Sequence, residues 1–168
     1  EEFCEMYQDI KLPFWCQTRI ETISEEKLIK LKDVGLHRLT FGMEHGNEEF
    51  RRRVVNRDYT NESAIRLMQI PTALDIPYSV NNIVGFPGET RELAFDTIEL
   101  NRYFKSDDTS CSTLVPFHGT AIRKVCEKEG LLDPDEILAV SNSGEAVLDM
   151  PQWSREEIGK IQRTFSMY

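Results

Sequence analysis

Four short segments combine polar or titratable side chains with turn residues: "QTRIE" (17–21), "GMEHGN" (42–47), "GFPGET" (85–90) and "VPFHGT" (115–120). In each, an apolar run ends and a segment with helical signals begins, and three of the four contain glycine. Glu44 is the strongest single candidate, because a carboxylate on the inner side of a strand end must be solvated or partnered, and ligand hydroxyls would serve. Its alternative partner is Arg19, across the same lumen. Glu89 follows a Gly-Pro-Gly turn at a helix start, where a carboxylate suits the helix dipole or a neutral or cationic ligand and opposes an anion. The turn also lacks the lysine of a Walker loop and the three-glycine dinucleotide fingerprint, so a phosphate cradle is a poor fit. His45 and His118 each follow a strand, and two imidazoles on one rim could ligate a metal or shuttle protons. No carboxylate or third ligand stands at a recognisable spacing, so hydrogen-bonded or surface histidines are the simpler reading. Ser-His-Asp chemistry is excluded because no nucleophile elbow is present.

Positioning these segments requires strands that end beside one another. Apolar runs predict strands at Leu12 to Arg19, His37 to Met43, Tyr78 to Gly85 and Cys111 to Phe117, each followed by a helix. Ser24, Asn47 and Thr90 are the expected N-caps, a helix is expected over Thr120 to Glu129, Gly35 and Gly130 are the expected C-terminal stops, and Ser154 with Glu157 an expected capping box. A helix from Asn61 is expected to stop before Pro71. Leu93, Thr97, Leu100 and Phe104 form one buried stripe, and Ile122, Val125 and Cys126 are expected to face inward. The βαβαβαβα order implies parallel pairing, in a doubly wound sheet or in a barrel. Gln17, Arg19, Thr40, Gly42, Glu44, Ser79 and Asn81 put a polar face near the C-terminal ends of the strands. Sheets covered by helices on both faces are apolar on both, so a hollow lumen, and hence a barrel, is favoured.

Bulk properties narrow the function classes. Twenty basic against 29 acidic residues give a net charge of −9, which repels a phosphate backbone, so no nucleic-acid partner is expected. No apolar run approaches the roughly 20 residues of a membrane span, and no membrane partner is expected. Cys4, Cys16, Cys111 and Cys126 lie 12, 95 and 15 positions apart, which matches neither a zinc ribbon nor a tight iron-sulfur spacing. They read as scattered buried thiols of a reducing, cytoplasmic compartment.

Together the four segments resemble the radical S-adenosylmethionine enzymes, of the type often found with a cobalamin-binding domain. "LPFWCQTRIETI" resembles the third strand of that barrel, "HRLTFGMEHGNEEFRRRV" the fourth strand and its turn, "NNIVGFPGET" the fifth and "STLVPFHGT" the sixth. The resemblance implies an α/β fold, the C-terminal part of a (β/α)6 partial TIM-type barrel with parallel strands, over residues 1–132, with 133–168 beginning a C-terminal extension. It implies that S-adenosylmethionine lies across the strand ends, with Glu44 at the ribose or methionyl end, Ile83 and Gly85 beside the adenine, and Val115, Pro116 and Phe117 along the adenine edge. Arg19 is counted with the same cofactor wall. Direct contact by Glu89 is not expected, since it stands off the family's fifth-strand position. The family's CxxxCxxC loop, which holds a 4Fe-4S cluster, is absent from this sequence, and a spacing of 12 between Cys4 and Cys16 does not replace it. The cluster is therefore expected only in a full-length parent, which would cleave S-adenosylmethionine to a deoxyadenosyl radical and act on a small-molecule substrate, with methyl transfer open to it if cobalamin is used.

The chain alone is expected to be inactive, and to self-associate through an open barrel edge and an apolar lumen layer. Two other readings stay open at this level. One is a self-contained α/β enzyme using Glu44 with His45 or His118 and no cluster; the other is a non-catalytic nucleoside-binding module.

Overall fold

A computed structural model describes residues 1–138 and 145–168. Four strands, β1 (Phe14–Arg19), β2 (Leu36–Glu44), β3 (Tyr78–Val84) and β4 (Asp108–Thr113), form one sheet in the order β1-β2-β3-β4, and every neighbouring pair is parallel. Around them run α1 (Glu2–Tyr7), α2 (Glu25–Asp33), α3 (Glu48–Phe50), α4 (Asn61–Ala73), α5 (Arg91–Asn101), α6 (Ala121–Lys128) and α7 (Arg155–Thr164). Local chemistry sets the helix starts. The side chains of Ser24, Asn47, Thr90 and Thr120 each accept from the amide three residues on, and Ser154 and Glu157 complete a reciprocal capping box. Each such cap contributes about 1 kcal/mol.

Which face the helices cover decides between the two sheet architectures. Leu39, Phe41, Met43, Tyr78, Val80 and Val84 are all at most 2% exposed and pack against residues of the surrounding helices in two core clusters. The other face carries Gln17, Arg19, Thr40, Gly42, Asn81, Ser110 and Ser112 around an open concavity. A doubly wound sheet would have helices on both faces; sequential strand order with helices on one face is barrel geometry. Where the sheet approaches α5, Asn82 and Asn101 exchange amide hydrogen bonds of 3.2 and 2.9 Å, which satisfies a polar pair inside the interface.

Three expectations are corrected. The last strand is Asp108–Thr113 rather than Cys111 to Phe117, because pairing with β3 defines it while its Ser and Thr side chains hide the strand from a hydrophobicity reading. Helix α4 continues through Pro71, which is buried in its last turn; the proline forfeits one amide donor, yet the turn still closes through Leu74 N–H to the Ile70 carbonyl at 3.0 Å. In α6 it is Arg123 and Cys126 that are buried, while Val125 is 40% exposed. Arg123 donates to Glu127 at 2.7 Å and to the carbonyls of Pro116, Asp133, Pro134 and Glu136, so a guanidinium with five donors replaces the apolar contact.

The C-terminal segment closes one flank. Ile158, Ile161 and Phe165 are buried in the same cluster as Val84 and Leu114, and the Gln162 side-chain amide donates to the Cys111 carbonyl of β4 at 3.0 Å. Among the described residues no helix is long and apolar enough to cross a membrane.

Candidate functional site

The C-terminal ends of β1, β2 and β3 open onto a concavity of about 410 Å³, lined among others by Arg19, Gly42, Glu44, Arg57, Asn81 and Ile83. Cross-strand register builds it. Gln17 pairs with Thr40 and Thr40 with Ser79, while Arg19 pairs with Gly42, Gly42 with Asn81 and Asn81 with Ser110. Trp15 Nε1–H donates to Thr40 Oγ1 at 2.9 Å, and that hydroxyl meets Ser79 Oγ at 2.7 Å. The inner face is thus polar along most of its length, which corrects the expectation of an exposed apolar lumen layer; Ile83 and, at the lower end, Trp15, 58% exposed, are the exceptions.

Glu44 sits where β2 breaks register with β3, in a bulge between Gly42 and Glu44. Its backbone is left-handed, φ 70°, a conformation that costs a non-glycine residue about 1 kcal/mol or more and that gathers at functional sites. The carboxylate folds back over Gly42, where an added Cβ would lie 2.5 Å from Oε1, and accepts from Arg57 Nη2 at 3.2 Å. Burial raises the Glu44 carboxyl above the ordinary glutamate range, with the Arg57 charge opposing. Arg57 Nη1 is buried without a hydrogen-bond partner among the described residues. Arg19 therefore does not serve Glu44; it pairs with Glu21 at 2.5 Å.

Behind Glu44 the two histidine-bearing turns separate. His45 and Glu89 are both fully buried, with His45 Nε2 3.2 Å from Glu89 Oε1. Because His45 Nδ1 accepts from Asn47 N–H at 3.1 Å, the ring is the neutral tautomer with its proton on Nε2, donating to the carboxylate. Glu89 Oε2 accepts from the amides of Gly85 at 2.6 Å and Phe86 at 2.9 Å. Glu89 thus turns inward to fix its own turn, and its backbone carbonyl receives the Gln152 amide at 3.0 Å. His118 is exposed on a different turn, so the structure brings neither histidine to the concavity with Glu44. The next residue, Gly46, touches α5: an added Cβ would meet the Asp96 carbonyl oxygen at 2.2 Å, and Gly46 N–H donates to Thr97 Oγ1 at 2.8 Å.

Of the expected cofactor residues, Arg19, Glu44 and Ile83 line one concavity, and Gly85 follows Ile83 by two positions with its amide held by Glu89. Val115, Pro116 and Phe117 do not line that concavity; they lie in the turn after β4, where Pro116 is buried and Phe117 is 52% exposed. Sequence reasoning missed Arg57, Arg51 and Tyr59. Arg51 is fully buried, stacks 4.1 Å over the Tyr59 ring and donates to the His45 carbonyl at 2.8 Å, while Tyr59 O–H donates to the Met43 carbonyl at 3.0 Å. Burial pushes the Tyr59 phenol up to about 12. These residues fasten the loop that delivers Arg57 to Glu44.

The family description of the radical SAM superfamily matches residues 1–100. The chain belongs to the radical SAM superfamily. Cytidylyl-2-hydroxyethylphosphonate methyltransferase of Streptomyces wedmorensis is 22% identical over 178 residues, 98% of this radical SAM chain and 33% of its own length. The chain therefore spans about a third of that curated relative. Coproporphyrinogen III oxidase (HemN) from Escherichia coli, a radical SAM enzyme, shares the fold with a TM-score of 0.64 at 20% identity over 92% of this chain and 31% of its own. The radical S-adenosylmethionine methyltransferase TsrM from Kitasatospora setae, with cobalamin and a [4Fe-4S] cluster bound, superposes at 0.61 with 22% identity over 70% of this chain and 22% of its own. The parallel sheet described above is thus part of the family's partial TIM-type barrel. Membership brings S-adenosylmethionine and a 4Fe-4S cluster as the family's cofactors. The residues here do not fit the cluster: the thiols of Cys4, Cys16, Cys111 and Cys126 are free, and no group of three or more His, Cys, Asp or Glu among the described residues could hold a metal ion.

Proposed function

We propose that this chain supplies the nucleoside-binding half of a radical SAM enzyme whose reaction begins with reductive cleavage of S-adenosylmethionine to a deoxyadenosyl radical. The observation that carries the reading is Glu44: a strained, largely buried carboxylate held by Arg57 at the strand ends, in a concavity it shares with Arg19 and Ile83. Glu44 would accept from ribose hydroxyls or the methionyl ammonium, Ile83 and the Gly85 backbone would flank the adenine, and the unpaired Arg57 Nη1 would take the methionyl carboxylate. Val115, Pro116 and Phe117 would reach the adenine edge only after rearrangement of the turn after β4. When bound, S-adenosylmethionine supplies the sulfonium that is reduced; this chain's own residues bind and orient it. Residues 1–132 form the barrel portion and 133–168 open a C-terminal extension. The chain by itself is inactive, because no residues here hold the cluster. The sequence similarity to one methyltransferase and the shared fold with another, which carries cobalamin, support cobalamin-dependent methyl transfer to a small molecule as the parent reaction, in the cytoplasm, with neither nucleic acid nor membrane as partner. The edge of β1, paired to β2 alone among the described residues, makes self-association the expected behaviour of the isolated chain.

Calorimetric titration of the chain with S-adenosylhomocysteine tests the reading. Saturable binding that Glu44→Gln and Arg57→Ala each weaken is the expected result. No binding to the folded wild-type chain, or binding indifferent to both substitutions, refutes it.

A further inference from the structure

Glu44 stands at the centre of a three-residue turn. His45 N–H donates to the Met43 carbonyl at 2.9 Å, and with φ 70° at the residue between them this is the rarer, strained form of the γ-turn. A strained conformation persists only where its surroundings over-determine it. On one side Tyr59 O–H holds the Met43 carbonyl at 3.0 Å. On the other stands His45, and each of its polar groups is committed: the backbone N–H to Met43, the carbonyl to Arg51 Nη1 at 2.8 Å, Nδ1 to Asn47 N–H and Nε2–H to Glu89.

The His45 ring carries this hold across to the other wall. Glu89 divides its carboxylate, with Oε1 receiving the His45 proton at 3.2 Å and Oε2 receiving the amides of Gly85 and Phe86 at 2.6 and 2.9 Å. Among the described residues the His45–Glu89 bond is the one side-chain hydrogen bond that joins residues 42–47 to residues 85–90. Arg51 and Tyr59 fix carbonyls of the Glu44 turn and make no hydrogen bond to the Gly85 turn among the described residues. Both partners are 0% exposed, and the imidazole centroid lies 4.5 Å from that of Phe50 and 6.2 Å from that of Phe86. Water therefore cannot replace the bond when it is lost.

We infer that His45 is a positioning residue of the nucleoside site: its bond to Glu89 fixes the Glu44 turn and the Gly85 turn relative to each other, so that both walls are in place before the ligand arrives. A histidine that only filled the core would support the fold and leave affinity alone. Here the bond runs from one ligand-facing turn to another, and a preformed site spares the ligand the cost of ordering it. The inference rests on the reading of the Glu44 concavity as the nucleoside site.

Substitutions that divide the two ring bonds test it. In His45→Gln the side-chain amide nitrogen reaches the place of Nε2 and still donates to Glu89, whereas in His45→Asn the shorter amide accepts from Asn47 N–H and nothing reaches Glu89. Both variants lose the ring from between Phe50 and Phe86, so both lose stability. S-adenosylhomocysteine affinity is measured by calorimetry on each folded variant, and the Gly85 amide resonance is followed by NMR without ligand. The affinity of His45→Asn should fall about tenfold, the worth of one buried hydrogen bond, while that of His45→Gln stays close to wild type. The Gly85 amide should likewise move in His45→Asn and hold its place in His45→Gln. Equal affinities in the two variants, or a Gly85 amide indifferent to His45→Asn, overturns the inference. Should His45→Asn not fold, Glu89→Gln decides: its amide oxygen keeps Gly85 and Phe86 while its nitrogen opposes the His45 proton, and wild-type affinity there overturns the inference as well. Wild type that is folded and binds no S-adenosylhomocysteine refutes the nucleoside reading, and the Gly85 amide then decides the link between the turns by itself.

Discussion

The buried His45–Glu89 pair makes a quantitative prediction about coupling. Glu89→Ala removes the acceptor from three buried donors, the amides of Gly85 and Phe86 and the His45 Nε2–H. At about 1–3 kcal/mol for each unsatisfied buried group, partly relieved by relaxation, the expected loss is roughly 4 kcal/mol. His45→Ala leaves one carboxylate oxygen and the Asn47 N–H unpaired and opens a cavity beside Phe50, whose ring centroid lies 4.5 Å from the imidazole; about 3 kcal/mol is expected. Each substitution orphans what the other would have removed, so the double variant should cost about 1–2 kcal/mol less than the sum. Urea unfolding followed by fluorescence of Trp153, which is 1% exposed, measures all three, and Glu89→Gln provides a milder variant should Glu89→Ala fail to fold. Additivity within about 0.5 kcal/mol, or single losses below about 1 kcal/mol, would show that the pair does not hold the two turns together.

Three further outcomes are expected. Gly42→Ala places a Cβ 2.5 Å from Glu44 Oε1; the carboxylate must swing off Arg57, so S-adenosylhomocysteine binding should fall sharply while stability changes by less than about 1 kcal/mol, the carboxylate being the flexible party. Burial raises the Glu44 carboxyl, so its ionised form costs stability at neutral pH and that cost is relieved as pH falls through the raised value. Wild type should accordingly gain stability relative to Glu44→Gln between ~pH 7 and ~pH 4.5, measured by urea midpoints, and a constant difference would refute the burial argument. Arg123→Lys keeps the charge but cannot span four carbonyls and Glu127; a loss of about 2–4 kcal/mol is expected, with protease cleavage appearing first near Asp133 to Glu136.

Local signals were readable and long-range ones were not. Caps at Ser24, Asn47, Thr90 and Ser154 depend on bonds spanning three residues, and they stand in the sequence as they stand in the fold. The polar rhythm of Gln17, Thr40, Gly42 and Asn81 likewise announced a lumen, because strand alternation carries that information directly. By contrast, Glu89 joins a histidine 44 positions away, and nothing between them marks the pairing. Arg57 lies in "RRRVVNRDY", where a run of cations reads as a solvated surface; the stacked Arg51–Tyr59 pair that turns this loop inward is a tertiary fact. The last strand was misplaced for a related reason: "DTSCST" is a strand because β3 offers it hydrogen bonds, whereas in the apolar "LVPF" that follows only Leu114 and Pro116 are buried, from a turn.

The contact of α7 with β4 also bears on stoichiometry. With Gln162 occupying the Cys111 carbonyl and β1 paired to β2 alone among the described residues, the sheet has two unlike flanks, one closed and one open. Two copies meeting through their open flanks would be related by a two-fold axis, and each would present only a closed flank outward. Growth by sheet extension would therefore end at a pair, and a polypeptide offering a complementary strand in trans would compete for that single flank at one per chain.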